Sequence, residues 1–179
     1  TPWDNIRLRM YDISNPAAPG DGVEIPHAGT MLSVAGLIYL FDGELLRVLD
    51  VGTDGTPITV SSQPFAHAIG AARLVGDHVY AADSERLHVV DVSEPRSPVV
   101  VAAVEGIGGH AMAADGACLF TLRDWGTATD VHVVAVDDPG SPRLMETLRG
   151  VGGRYGPNGI AADAGRVYLT SREQGLIIL

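Results

Sequence analysis

Four proline-bearing turns recur along the chain at near-constant spacing, and no other feature restricts its fold as tightly. They are Asp12-Ile13-Ser14-Asn15-Pro16-Ala17-Ala18-Pro19, Asp50-Val51-Gly52-Thr53-Asp54-Gly55-Thr56-Pro57, Asp91-Val92-Ser93-Glu94-Pro95-Arg96-Ser97-Pro98 and Ala135-Val136-Asp137-Asp138-Pro139-Gly140-Ser141-Pro142. The closing prolines at 19, 57, 98 and 142 are separated by 38, 41 and 44 residues. A fixed period with a small drift marks one supersecondary unit joined by loops of varying length. Three of the turns open on an aspartate. The fourth carries Ala135 there.

Alternation and β-branched content divide each period into four strands, A to D. Strand B is read at Leu37 to Phe41, His78 to Ala82, Cys118 to Leu122 and Val167 to Ser171. Strand C follows at Leu45 to Val51, Leu87 to Val92 and Val131 to Val136, with Leu8 to Ile13 and Leu176 to Leu179 as further copies. The proline turn leads to strand D, as in Val99 to Val104. Strand A is weaker, as in Met31 to Val34 or Ile160 to Ala162. Prolines and glycines interrupt every window that could hold a helix. The expected fold is all-β: a β-propeller of four-stranded antiparallel blades, spanning 1–179 as a single region. Four A, four B, five C and four D strands do not make whole blades, so a fragment of a larger ring is expected.

Bulk properties narrow the function. Apolar residues make up 46% of 179, enough for a packed core. The net charge of −10, from 22 acidic and 12 basic residues, argues against a nucleic-acid partner, since such proteins concentrate Lys and Arg. Cys118, the single cysteine, sits among Ala117, Leu119 and Phe120 and reads as a small buried hydrophobe. No apolar stretch is long enough for a membrane-spanning helix. Thr1 stands where a start methionine would, as expected for an exported protein after cleavage or for a piece of a longer chain.

The segment Val79-Tyr80-Ala81-Ala82-Asp83, followed by Leu87-His88-Val89-Val90-Asp91-Val92-Ser93-Glu94-Pro95-Arg96-Ser97-Pro98, resembles the LVIVD repeat of bacterial and archaeal exported or surface proteins. The same pattern recurs at Leu45 to Pro57 and Val131 to Pro142. The resemblance implies a propeller and a setting outside the cytoplasm, secreted, periplasmic or at the cell surface. It implies no particular chemistry.

The repeated Asp12, Asp50 and Asp91 read as caps on the free N–H groups of the proline turn. The glycine clusters 106–109 and 150–153 read as flexible D-to-A connections, because no helix follows them to hold a phosphate. A second repeat precedes strand A: Pro26-His27-Ala28, Ala66-His67-Ala68, Gly109-His110-Ala111 and Pro157-Asn158-Gly159. If equivalent, His27, His67 and His110 converge on one axis and could share a divalent metal such as zinc, copper or iron. Each could equally bond the neighbouring blade's backbone. His78, His88 and His132 read as ordinary strand residues. The B-to-C turns are expected on the same face, with Asp42, Glu44, Asp83, Glu85, Asp124, Trp125, Asp130 and Glu173. The longest of them runs from Arg123 to Asp130. Trp125 and Asp124 there, with Arg154, Tyr155 and Asn158 in the last D-to-A segment, are the candidate ligand contacts. Two functions follow. One is a non-enzymatic binding or scaffold propeller for a protein or small-molecule ligand on this face. The other is a metal-dependent lyase or hydrolase at the channel mouth.

Overall fold

The computed structural model of the protein describes residues 8–11, 15–18, 20–25, 29–52, 55–124, 129–153 and 156–179. Within them the chain is all-β. A two-stranded sheet pairs β1 (Leu8–Met10) with β2 (Val23–Ile25). The first four-stranded sheet runs β3 (Thr30–Val34), β4 (Leu37–Asp42), β5 (Leu45–Val51) and β6 (Pro57–Pro64). The second runs β7 (Ala71–Val75), β8 (His78–Ala82), β9 (Arg86–Asp91) and β10 (Val99–Glu105). The third runs β11 (Ala111–Asp115), β12 (Cys118–Asp124), β13 (Thr129–Ala135) and β14 (Arg143–Leu148). A three-stranded sheet follows: β15 (Pro157–Asp163), β16 (Arg166–Ser171) and β17 (Gly175–Ile178).

Every pairing is antiparallel and strands pair in sequence order, so each four-stranded sheet is an up-and-down blade. The described strands comprise four of type A, four B, five C and four D, as the repeat anticipates. The A strands touch one another in series, β3 with β7, β7 with β11, and β11 with β15. That contact gathers strand A of each blade on one inner side and gives the stack its propeller-like arrangement. The described sheets do not close into a ring.

The proline turns repeat in backbone detail. Ala18, Ser97 and Ser141 donate N–H to the carbonyls of Asn15, Glu94 and Asp138 at 3.0, 2.8 and 3.0 Å, with proline second in each turn. Proline's fixed φ suits that position. The capping aspartates behave unequally. Asp91 Oδ1 accepts from Ser93 N–H at 2.8 Å, as expected. Asp50 instead pairs with Arg96 of the next blade. Asp12 lies outside the described residues. One boundary differs from expectation: Arg123 pairs with Asp130 and Asp124 with Thr129, so the two outermost residues at each end of the expected third turn belong to the strands β12 and β13.

Alternation along each strand sends successive side chains to opposite neighbours. From the second blade, Val79, Ala81, Val90 and Val92 pack on Tyr39, Phe41, Leu46 and Val48 of the first. Its other face, with Tyr80, Ala82, Leu87 and Val89, packs on Met112, Leu119, Val134 and Val136 of the third. Burying a large apolar side chain of this kind contributes about 1.5–3 kcal/mol, so these interfaces carry the fold. Two of them are also pinned by a tyrosine hydroxyl crossing to the next blade: Tyr39 donates to Pro95 O at 2.5 Å and Tyr80 to Val136 O at 3.4 Å.

Candidate functional site

The D-to-A connections and the B-to-C turns meet at one end of the blades. Phe65 N–H donates to Glu44 O, Gly106 N–H to Glu85 O, and Val151 N–H to Thr129 O, at 2.8 Å each. The glycine run 106–109 is packed down rather than loose. A Cβ on Gly108 would lie 2.4 Å from the Ser84 carbonyl carbon, so only glycine lets this connection rest on the turn below. Ile107, beside it, is fully buried.

Asp83 is the hub of this end. It closes β8, and its side chain is wholly shielded from solvent. Its Oδ1 accepts the N–H groups of Glu85 and Arg86 at 2.7 and 2.6 Å, shaping the B-to-C turn. Its backbone carbonyl accepts Gly109 N–H at 2.8 Å, which fixes the next connection. Its Oδ2 stands 2.9 Å from His88 Nε2. An ionised carboxylate only accepts, so that nitrogen carries the proton. The His88 ring packs edge-on against Phe65, centroids 5.0 Å apart, which ties the pair to the preceding connection. Burial pushes the Asp83 carboxyl upward, but the hydrogen bonds from His88, Glu85 and Arg86 outweigh it and hold the group below its ordinary value.

The pairing register exposes a repeated polar position that the sequence reading passed over. Leu40 pairs with Arg47, Ala81 with His88, Thr121 with His132 and Leu169 with Ile177. Three of four equivalent strand C positions are therefore basic and face the preceding blade. Arg47 Nε lies 3.4 Å from Asp42 Oδ2, with the same five-residue spacing as Asp83 and His88. That spacing across a hairpin turn was the available signal. In the last sheet Ser171 takes the place of Asp83. Its Oγ donates to Gly152 O at 2.7 Å and accepts the N–H groups of Glu173 and Gln174.

The histidines do not keep the equivalence assumed for them. His110 N–H donates to Leu122 O, and the matching bond in the second blade is Gly70 N–H to Ala82 O, both at 2.9 Å. His110 thus corresponds to Gly70, and His67 stands three residues earlier. The shared His-Ala dipeptide misled the alignment, because strand A begins at Ala111 in one case and Ala71 in the other. Asn158 does correspond to His110, since Gly159 pairs with Thr170 as Ala111 pairs with Leu122. His67 turns its Nδ1 toward Asp83, 3.6 Å from Oδ2, while its side chain is half exposed. Among the described residues that nitrogen has no hydrogen-bond partner. His27, Trp125, Arg154 and Tyr155 lie outside the described residues. Among the described residues no group of three or more His, Cys, Asp or Glu is placed to hold a metal ion.

A pocket of about 400 Å³ opens between the second and third blades at this end, lined by Ala68, Gly70, Asp83, Ser84, Gly109, His110, Arg123 and Asp124. Two of the anticipated site residues, His110 and Asp124, thus face one cavity. Ser84, Arg123 and the small residues of the connections were not anticipated as its walls. The walls are fixed: Gly70, Gly109 and His110 each spend their N–H on a strand or turn carbonyl. Arg123 is further held by Nη1 donating to Gly106 O at 3.3 Å.

Residues 72–105, from β7 through β10, match the family model described as LVIVD repeat. No curated protein matches the sequence. The matched segment is the second blade; its four-strand order recurs in both neighbours, its Glu94-Pro95 turn recurs at Asp138-Pro139 of the third, and Asp42 with Arg47 repeats the spacing of Asp83 and His88 in the first. The chain therefore carries the LVIVD repeat in a propeller-like stack of antiparallel blades.

Proposed function

We propose that this chain is a non-enzymatic binding module, with its ligand site in the pocket between the second and third blades. One observation carries the reading. A 400 Å³ cavity lies where two D-to-A connections and two B-to-C turns converge, and its walls are locked by backbone hydrogen bonds. Cavities of this size suit small ligands, and fixed walls keep the ordering cost of binding low. His110, Arg123 and Ser84 bring donors to the site and Asp124 brings an acceptor. The matching ligand is a small polar molecule that both donates and accepts hydrogen bonds.

A metal-dependent reaction finds less support, because the offset between His67 and His110 removes the symmetry that brought the histidines to one axis. The resemblance to exported and surface repeat proteins extends the proposal to a setting outside the cytoplasm, which cell fractionation tests.

The experiment is a thermal-shift screen of small polar molecules followed by Ser84→Trp. Ser84 is exposed on the pocket wall, so the indole fills the cavity without disturbing the core. Ligands that stabilise the parent should lose their effect in the variant. Undiminished binding by Ser84→Trp would place the ligand elsewhere and end the proposal.

A further inference from the structure

One position on the pocket wall breaks the repeat. The pairs Phe41–Leu46, Ala82–Leu87 and Leu122–Val131 are equivalent by register, and the residues next along strand B are Asp42, Asp83 and Arg123. In the first two blades this position holds an acid that meets a base five residues on within its own blade. Asp42 lies 3.4 Å from Arg47, and Asp83 lies 2.9 Å from His88. In the third blade a guanidinium stands there, and the base position is filled by His132. Those two cannot form an acid–base pair. His132 Nδ1 is buried without a hydrogen-bond partner among the described residues. Burial, and then Arg123, hold its ring below the ordinary value. The swap thus deprives the third blade of a contact that its sisters have, and an unpaired buried polar atom is unfavourable. A departure that the fold does not reward is the kind expected at a functional position.

What the swap delivers is a charge facing the cavity. Among the described residues three charged side chains line it: Asp83, Arg123 and Asp124. The Asp83 carboxylate is wholly shielded and already accepts from Glu85, Arg86 and His88. The charges presented to a ligand are therefore one cation and one anion, on consecutive residues at the end of β12. Arg123 is half-buried and steadied by Gly106 O, while Asp124 is exposed and its backbone is paired with Thr129. Being held does not exhaust them, because a guanidinium carries several N–H donors and a carboxylate accepts several bonds. Ala68, Gly70 and Gly109 add almost no side chain to the walls, which leaves about 400 Å³ for the rest of a ligand.

We propose that the pocket takes a zwitterionic α-amino acid, with its carboxylate on Arg123 and its ammonium on Asp124. The inference rests on the pocket reading above and narrows it to one ligand class. The planar guanidinium fork matches a carboxylate with two parallel bonds, and Asp124 accepts from the ammonium. A net charge of −10 repels a simple anion, so the ammonium offsets what the carboxylate alone would meet. A ligand lacking either charge leaves one of the two protein groups unmatched in the cavity.

The probes are free L-amino acids, titrated one by one into the full chain by isothermal titration calorimetry. At least one should bind saturably. Its amide, which lacks the carboxylate, and its N-acetyl derivative, which lacks the ammonium, should each bind roughly 10–100-fold more weakly. Arg123→Gln should weaken the free amino acid by a similar factor and leave the amide no weaker than in the parent. The derivatives need no variant, so they decide the matter if Arg123→Gln fails to fold. Saturable binding by no amino acid, equal binding of either derivative, or undiminished affinity in a folded Arg123→Gln overturns the inference. Ligands that Ser84→Trp blocks, none of them zwitterionic, would overturn it while the pocket reading stands. An amino acid that binds Ser84→Trp undiminished would overturn both.

Discussion

Removing the Asp83 carboxylate should cost more stability than any other single polar substitution at the pocket end. In Asp83→Ala three donors lose their acceptor together: Glu85 N–H, Arg86 N–H and His88 Nε2–H. His88 is itself buried, with Phe65 against its ring, so water cannot readily replace the bond. Each buried donor left unpaired costs roughly 1–3 kcal/mol, and the turn donors are only partly buried, so the sum is about 3–5 kcal/mol. Against a typical total of about 5–15 kcal/mol this is a large fraction. Urea denaturation followed by circular dichroism reads it directly. With a slope near ~2 kcal/mol/M the midpoint should fall by about 1.5–2.5 M. Asp83→Asn keeps an acceptor for the turn and should lose about half as much. The pH sign follows from the lowered carboxyl: its contribution is fully present above the unfolded value near ~4 and is lost as pH falls through the folded value. That acid-limb slope should be shallower in Asp83→Asn. A midpoint shift in Asp83→Ala below about 0.5 M, or an unchanged acid limb in Asp83→Asn, would refute the hub argument.

Two further perturbations test the blade contacts. Burial, and then Arg123, hold the His132 imidazole below its ordinary value against the pull of Asp130. Its contribution is therefore present above about pH 6.5 and lost as pH falls toward the folded value; His132→Leu should flatten the fall in melting temperature between about pH 7 and 5. Tyr39→Phe deletes the hydroxyl that donates to Pro95 O and should destabilise by about 1 kcal/mol in the same urea assay. In the parent, burial raises the Tyr39 phenol to about 12, so its ultraviolet titration should lag behind exposed tyrosines.

The sequence was most legible where local chemistry dictates geometry. Strands β4, β5 and β8 fall within a residue of their anticipated bounds, because proline and glycine turns bracket short alternating runs. The proline turns kept their alignment for the same reason. Strand A was less clear: Ala111-Met112-Ala113-Ala114-Asp115 has little β-branched character and is placed by contact with its inner neighbours. The pocket was half visible. His110 and Asp124 could be named from their places next to strand ends. His67 could not be positioned, since connections of unequal length shift residues relative to the strands that follow. The pairing of Asp83 with His88 lay hidden because it depends on cross-strand register rather than on residue type. The pairing of Asp50 with Arg96 stayed hidden for a related reason: that partner arrives from the next blade.

The central claim is that ligand enters between the second and third blades at the end where connections and turns meet. Backbone amide shifts of isotope-labelled protein, recorded with a ligand from the screen, test it most directly. The account predicts that Ala68, Gly70, Ser84, Gly109, His110 and Arg123 move together, while the proline turn Glu94 to Ser97 at the opposite end stays still. Shifts centred on that proline turn, with the pocket amides unmoved, would contradict it.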